Sequence, residues 1–186
     1  MPLLGPERTL VKASANGNPY QAWAAGVRSG NVVVSNGPLV EIELDAAKTT
    51  ATARASFYRP LERLEIVING AVAAAVPGDK RRTSLRASIH LPADVSCWVA
   101  AHVVAQKLAG EPDIQAHTNP ICVIRDGKKV ALPAARAAVA ARWDKEVQWY
   151  RSAQLAFPGE REKREFFDFA DRATRELAKP QGNARR

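Results

Sequence analysis

Apolar and polar residues alternate through most of the first two thirds of the chain. Ala51, Ala53, Ala55 and Phe57 are interleaved with Thr52, Arg54 and Ser56. Leu64, Ile66 and Ile68 follow with Arg63, Glu65 and Val67, and Leu85, Ala87, Ile89 and Leu91 with Ser84, Arg86, Ser88 and His90. A period of two is the spacing of strands that bury one face. Asn69-Gly70 is the dipeptide of a tight hairpin, with Val72 to Val76 as its return strand. Pro77-Gly78-Asp79 marks another turn. Val95 to Val104 is apolar on both faces and is expected as a central strand. Ile121 to Ile124, Asp126-Gly127 and Val130 predict a last hairpin. Upstream, Val32-Val33-Val34 reads as a short buried strand, Ser35-Asn36-Gly37-Pro38 as a turn, and Leu39 to Leu44 as the next strand.

The period lengthens at both ends. Residues 1–18 read as irregular. Pro19 suits the first turn of a helix, Tyr20, Trp23, Ala24 and Val27 recur at helical spacing, and Gly30 ends the run. Beyond Pro133, Val139, Trp143, Val147 and Tyr150 make one stripe, with Leu132 behind and Phe157 ahead. Pro158-Gly159 breaks it. A second stripe carries Phe166, Phe169 or Ala170, Ala173 and Leu177, after an acidic first turn with Glu160 and Glu162 that suits the helix dipole. Lys179-Pro180 stops it. The predicted fold is mainly β with α. An irregular segment and short helix (1–30) lead into an immunoglobulin-like β-sandwich (31–131), followed by a C-terminal αα-hairpin (132–180) and a frayed tail (181–186).

Composition fits that picture. The 186 residues are 46% hydrophobic and 25% charged, ordinary for a globular chain that can bury a core without staples. The net charge of +8 divides evenly between residues 1–131 and 132–186, with acids interleaved. Lys80-Arg81-Arg82, beside Asp79, is the densest basic run and reads as a solvated turn rather than a phosphate-binding patch. Signatures of nucleic-acid binding are absent. The two cysteines, Cys97 and Cys122, lie in apolar strand-like runs and are expected as buried free thiols on neighbouring strands. Met1 to Leu10 lacks the pattern of a signal peptide, and no apolar run is long enough to span a bilayer. A cytoplasmic location is the default expectation.

Catalytic chemistry is hard to assemble from these residues. A metallohydrolase needs several histidine and carboxylate ligands converging on one point. There are three histidines and neither His-x-His nor His-Glu-x-x-His. His90 falls on the polar side of its strand. His102 shares a face with Trp98 and Ala100 and is expected as a satisfied, half-buried residue. His117 sits in the turn-like His117-Thr118-Asn119-Pro120. No Gly-x-Ser-x-Gly, no phosphate loop and no basic neighbour for Cys97 is present. The paired carboxylates Glu41 and Glu43, and Glu62 and Glu65, read as solvated strand faces. Neither catalytic residues, metal ligands nor cofactors are expected.

Two segments carry a resemblance. One runs from Tyr20-Gln21-Ala22-Trp23-Ala24-Ala25-Gly26-Val27-Arg28-Ser29-Gly30 into Val33-Val34-Ser35-Asn36-Gly37-Pro38. The other is Trp98-Val99-Ala100-Ala101-His102 followed by Ala116-His117-Thr118-Asn119-Pro120-Ile121. In order and spacing they resemble the C-terminal part of the carbaryl-esterase-like (CehA/McbA) metallohydrolases of the PHP superfamily. There a metal-binding α/β barrel precedes a helix, a strand ending in a Thr- or Ser-Asn-Gly-Pro turn, a sandwich with a Trp-x-Ala strand and a His-Thr-x-Pro turn, and a helical tail. The barrel and its ligands have no counterpart in these residues, and His102 stands where the family has an arginine. The resemblance therefore implies an accessory, non-catalytic domain. Its partner would be a metallohydrolase barrel or further copies of the chain, with Asn36, Pro38, Thr118 and Asn119 near the contact. The alternative is a stand-alone module for a carbohydrate or small organic acid, using a pocket lined by Trp98, His102 and His117. An enzyme built on His117 and a carboxylate is the third and weakest reading.

Overall fold

The computed structural model describes residues 7–12, 18–130, 132–153 and 156–179. The chain divides after Val130 into a β-rich unit and a helical unit.

Among the described residues, ten strands and one helix make up the first unit: β1 (Arg8–Val11), α1 (Pro19–Ser29), β2 (Val32–Ser35), β3 (Leu39–Leu44), β4 (Thr50–Ser56), β5 (Leu61–Ile68), β6 (Ala71–Pro77), β7 (Ser84–His90), β8 (Cys97–Ala105), β9 (Ile114–Thr118) and β10 (Ile121–Val123). They form two antiparallel sheets. One has the order β1-β2-β9-β8-β5-β6, with β10 also on β8; the other is β3-β4-β7. The alternating residues do what their period requires. Ala51, Ala53, Ala55, Leu85 and Ala87 of the small sheet bury in one cluster with Leu61, Leu64, Ile66, Cys97, Val99, Ala101 and Val103 of the large one. The two sheets thus share one core, as a sandwich with helices requires.

Most predicted elements stand where the pattern put them. Asn69 and Gly70 both have positive φ, 52° and 89°, as the two-residue hairpin demands. β8 is central, between β5 on one side and β9 and β10 on the other. Five expectations change. Residues 8–11, read as irregular, form the edge strand β1 on β2. Val32 to Val34 are half-buried to exposed, not buried, because β2 lies near that edge. The outer face of β8 is half-buried throughout. The last hairpin shrinks to β10 and a single bridge between Arg125 and Lys128. Cys97 is buried, but Cys122 points outward from β10, so only one of the two free thiols is a core residue.

The second unit contains α2 (Pro133–Ser152) and α3 (Glu160–Ala178). They run antiparallel. Arg136 near the start of α2 hydrogen-bonds the carbonyls of Glu176 and Leu177, so its guanidinium caps the carboxyl end of α3. Trp143 Nε1 donates to Thr174 Oγ1 at 3.0 Å, and Tyr150 meets Phe166 edge-on at 5.2 Å. Between Phe169 and Ala170 the structure chooses Ala170, which is fully buried while Phe169 is 57% exposed. The stripe on α2 is centred on Val147, and Val139 lies outside it, exposed. The tail beyond residue 180 lies outside the described residues.

Candidate functional site

The segment Ser35-Asn36-Gly37-Pro38 is where the chain leaves the large sheet for the small one, between β2 and β3. Its chemistry serves that crossing. The Ser35 hydroxyl donates to the Pro38 carbonyl and accepts from the Gly37 N–H at 2.9 Å. The Asn36 amide acts as a surrogate strand: its Nδ2 donates to the Asp113 carbonyl and its Oδ1 accepts from the Gln115 N–H, each at 2.7 Å. A Cβ at Gly37 would lie 2.8 Å from the Ile114 side chain and 2.9 Å from the Phe57 ring, so any larger residue would have to displace them. Pro38 is fully buried.

The segment His117-Thr118-Asn119-Pro120 is a bulge. His117 pairs with His102 and Ile121 with Val99, so Thr118, Asn119 and Pro120 face only Ala100 and Ala101 across β8. Pro120 has no N–H to give the ladder. Within the bulge the buried Thr118 Oγ1 accepts from the Ala101 N–H at 3.0 Å. The Asn119 N–H donates to the Val32 carbonyl at 2.8 Å. Because Val33 pairs with Thr118 and Ser35 with Ala116, the bulge and the Asn-Gly-Pro corner lie at opposite ends of the β2–β9 pairing. They do not converge.

His102 and His117 do come together, on the outer face of the large sheet. The register aligns Thr9, Val34, His117, His102, Glu65 and Ala75 in one row across six strands. His102 Nδ1 lies 2.9 Å from Glu65 Oε2 and its Nε2 lies 3.1 Å from Gln115 Oε1. Burial pushes the Glu65 carboxyl up, but hydrogen bonds from His102 and Arg63 outweigh it and hold the group below its ordinary value. A carboxylate on an imidazole can orient a general base. Here the second ring nitrogen is also engaged, so His102 is a satisfied strand residue as its alternation suggested. His117 Nδ1 approaches its neighbour's carbonyl, Thr118 O, at 3.5 Å. Trp98 is half-buried on the same face, and its backbone N–H donates to Asn69 Oδ1 at 3.0 Å, tying β8 to the hairpin turn. Among the described residues no group of three or more His, Cys, Asp or Glu is placed to hold a metal ion.

Trp98, His102 and His117 line none of three open clefts in the β-rich unit. One of about 380 Å³ opens between β1–β2 and β3, lined by Leu10, Val33, Val40, Ile42, Thr118 and Asn119 among others. A second, of about 590 Å³, flanks the corner at Asn36 and Gly37. The third, of about 630 Å³, lies on the small sheet over Arg54, Arg82 and Arg86. The sequence singled out none of these arginines except Arg82. Alternation places Arg54 and Arg86 on outward faces, but only the β4–β7 pairing sets them side by side.

No known protein family, curated protein or solved structure matches the chain.

Proposed function

We propose that the β-rich unit is an accessory, non-catalytic domain that docks on the barrel of a PHP-type metallohydrolase, and that α1 supplies the contact. The observation that supports this is the outer face of α1. Tyr20, Trp23 and Val27 are 74%, 42% and 39% exposed, and the Tyr20 and Trp23 rings stack at 6.4 Å. The one buried residue of α1 is Gly26, which approaches Val11 so closely that a Cβ there would lie 2.0 Å from Cγ1. A helix pinned by a glycine and presenting stacked aromatics outward is built for contact. These residues fall in the segment that carries the family resemblance. The fold is of immunoglobulin-like type in this reading. The sheet orders β3-β4-β7 and β9-β8-β5-β6 support it, being those of a Greek-key sandwich to which β1 and β2 add. Amide–amide NOEs check it: their absence between β4 and β7 overturns that topology.

The test of docking mixes the full chain with a separately purified barrel of this class from the same genome. Co-elution on size exclusion is expected, and Trp23→Asp abolishes it without changing the circular dichroism. Self-association removed by Trp23→Asp would instead assign the face to a second copy and sink the barrel reading.

A second reading, a stand-alone module for a small molecule or carbohydrate, is favoured by the cleft of about 380 Å³ at Thr118 and Asn119, a volume in the range of ligand pockets. A thermal-shift screen of sugars and organic acids without a hit removes it.

A further inference from the structure

The outer face of the small sheet concentrates positive charge in a way the sequence does not announce. Arg54 on β4 stands directly opposite Arg86 on β7, and Ser56 stands directly opposite Ser84 one step along the same face. Like charges directly opposite each other across a strand pair destabilise a sheet. Arg82, from the turn before β7, lines the same cleft of about 630 Å³, as do Ser56 and Ser84. The run Lys80-Arg81-Arg82, a solvated turn when taken alone, therefore contributes one arginine to a group whose other members lie on separate strands.

The surrounding charges leave a surplus. Glu41 pairs in register with Arg54 and lines the cleft, and Glu43 Oε2 lies 3.5 Å from Arg54 Nη1. Both acids are shared with Lys12, at 4.0 Å and 3.7 Å. Asp79 accepts from the backbone N–H groups of Arg81 and Arg82 and lies 3.5 Å from the Arg82 guanidinium. Among the described residues Arg86 has no ion-pair partner. Arg54 and Arg82 keep 52% and 59% of their side-chain surface exposed, so their forks remain accessible.

We propose that this cleft is a binding site for a doubly charged tetrahedral oxyanion, the phosphate of inorganic phosphate or of a phosphate monoester. Arg54 and Arg86 would flank it, Arg82 would close it, and the Ser56 and Ser84 hydroxyls would donate from the sheet floor. Guanidinium forks match phosphate oxygens in pairs. A bound dianion also turns the Arg54–Arg86 repulsion into a bridge. The site is independent of docking through α1, which lies elsewhere on the unit.

The experiment titrates the full chain with inorganic phosphate at constant ionic strength, balanced with chloride, and follows amide shifts and melting temperature. Saturable shifts at Arg54, Arg82, Ser84 and Arg86 are expected, with a rise in melting temperature that chloride does not reproduce. Arg86→Gln weakens binding about tenfold or more, whereas Lys129→Gln, outside the cleft, leaves it unchanged. Without phosphate, Arg86→Gln melts no lower than the parent, because it removes the like-charge pair. A phosphorylated sugar that binds more tightly than inorganic phosphate identifies a monoester as the ligand; equal affinity identifies the free anion. A phosphate effect matched by chloride, or unchanged in Arg86→Gln, overturns the site. Citrate binding as tightly as phosphate overturns the tetrahedral assignment.

Discussion

Thr118 shows how one side chain can repair a backbone. At the bulge beside β8 the Ala101 N–H is satisfied by the Thr118 hydroxyl, in a buried position. Thr118→Val keeps the shape and removes the acceptor. It is expected to cost about 1–3 kcal/mol in urea unfolding, the penalty of one orphaned buried donor, while Thr118→Ser loses much less. A cost below about 0.5 kcal/mol would show that the N–H finds another partner. Glu111 gives a pH dependence. Both its oxygens accept from Arg59, at 2.7 Å and 3.1 Å, and Oε2 also accepts from the Leu108 N–H. Arg59 first, and that N–H second, hold its carboxyl down to about 2, from 4.5. A depressed carboxylate contributes stability that is complete above its unfolded value and is lost as pH falls through the folded one. Glu111→Gln is therefore expected to flatten the loss of stability between about pH 4.5 and 2. It does not abolish that loss, because Asp45, Asp79 and Asp113 are lowered by their own hydrogen bonds. Parallel urea melts across that window check it, and equal slopes in parent and variant would refute it.

The elements themselves were legible where alternation or helical spacing ran for several residues. α1 is one: Asn18 caps it, accepting from the Tyr20 and Gln21 N–H groups, and Gly30 closes it with φ 77°. β1 was illegible, because four residues at a sheet edge bury too little to leave a pattern. The choice between Phe169 and Ala170 was equally closed to sequence, since both fit one helical face and only packing against α2 decides. The buried side of α1 inverts its composition, with Gly26 inward and the aromatics outward. That arrangement has a testable sign. Gly26→Ala should gain about 1 kcal/mol from helix propensity, yet its Cβ collides with Val11. The variant is expected to lose about 1–3 kcal/mol net, and Val11→Ala in the same chain to restore most of it. A stabilised Gly26→Ala single variant would mean that α1 does not rest on β1.

At the scale of the molecule, sequence carried the class of each region but not the pairing that makes sites. Arg54 and Arg86 are ordinary alternating residues until β4 meets β7, and His102 meets His117 only through the β8–β9 register. The two turns that carry the family resemblance read alike in sequence as part of one contact surface; in the fold one is a corner between sheets and the other a bulge within one. The distribution of burial says more about what can fold. The core cluster shared by the sheets runs from Val40 to Val123. The helical unit, among its described residues, buries only Val147 and Ala170. Two helices of 20 and 19 residues with so small a core are expected to be marginal on their own in water. Expressed separately, residues 1–130 are expected to unfold in one cooperative urea transition with a slope of about 1–3 kcal/mol per molar. Residues 132–179 alone are expected to show weak helicity that fades gradually on heating. Circular dichroism of the two fragments decides it. A β fragment without a cooperative transition would mean that its core needs residues beyond 130, and a sharply melting helical fragment would mean that α2 and α3 hold each other more firmly than their burial allows.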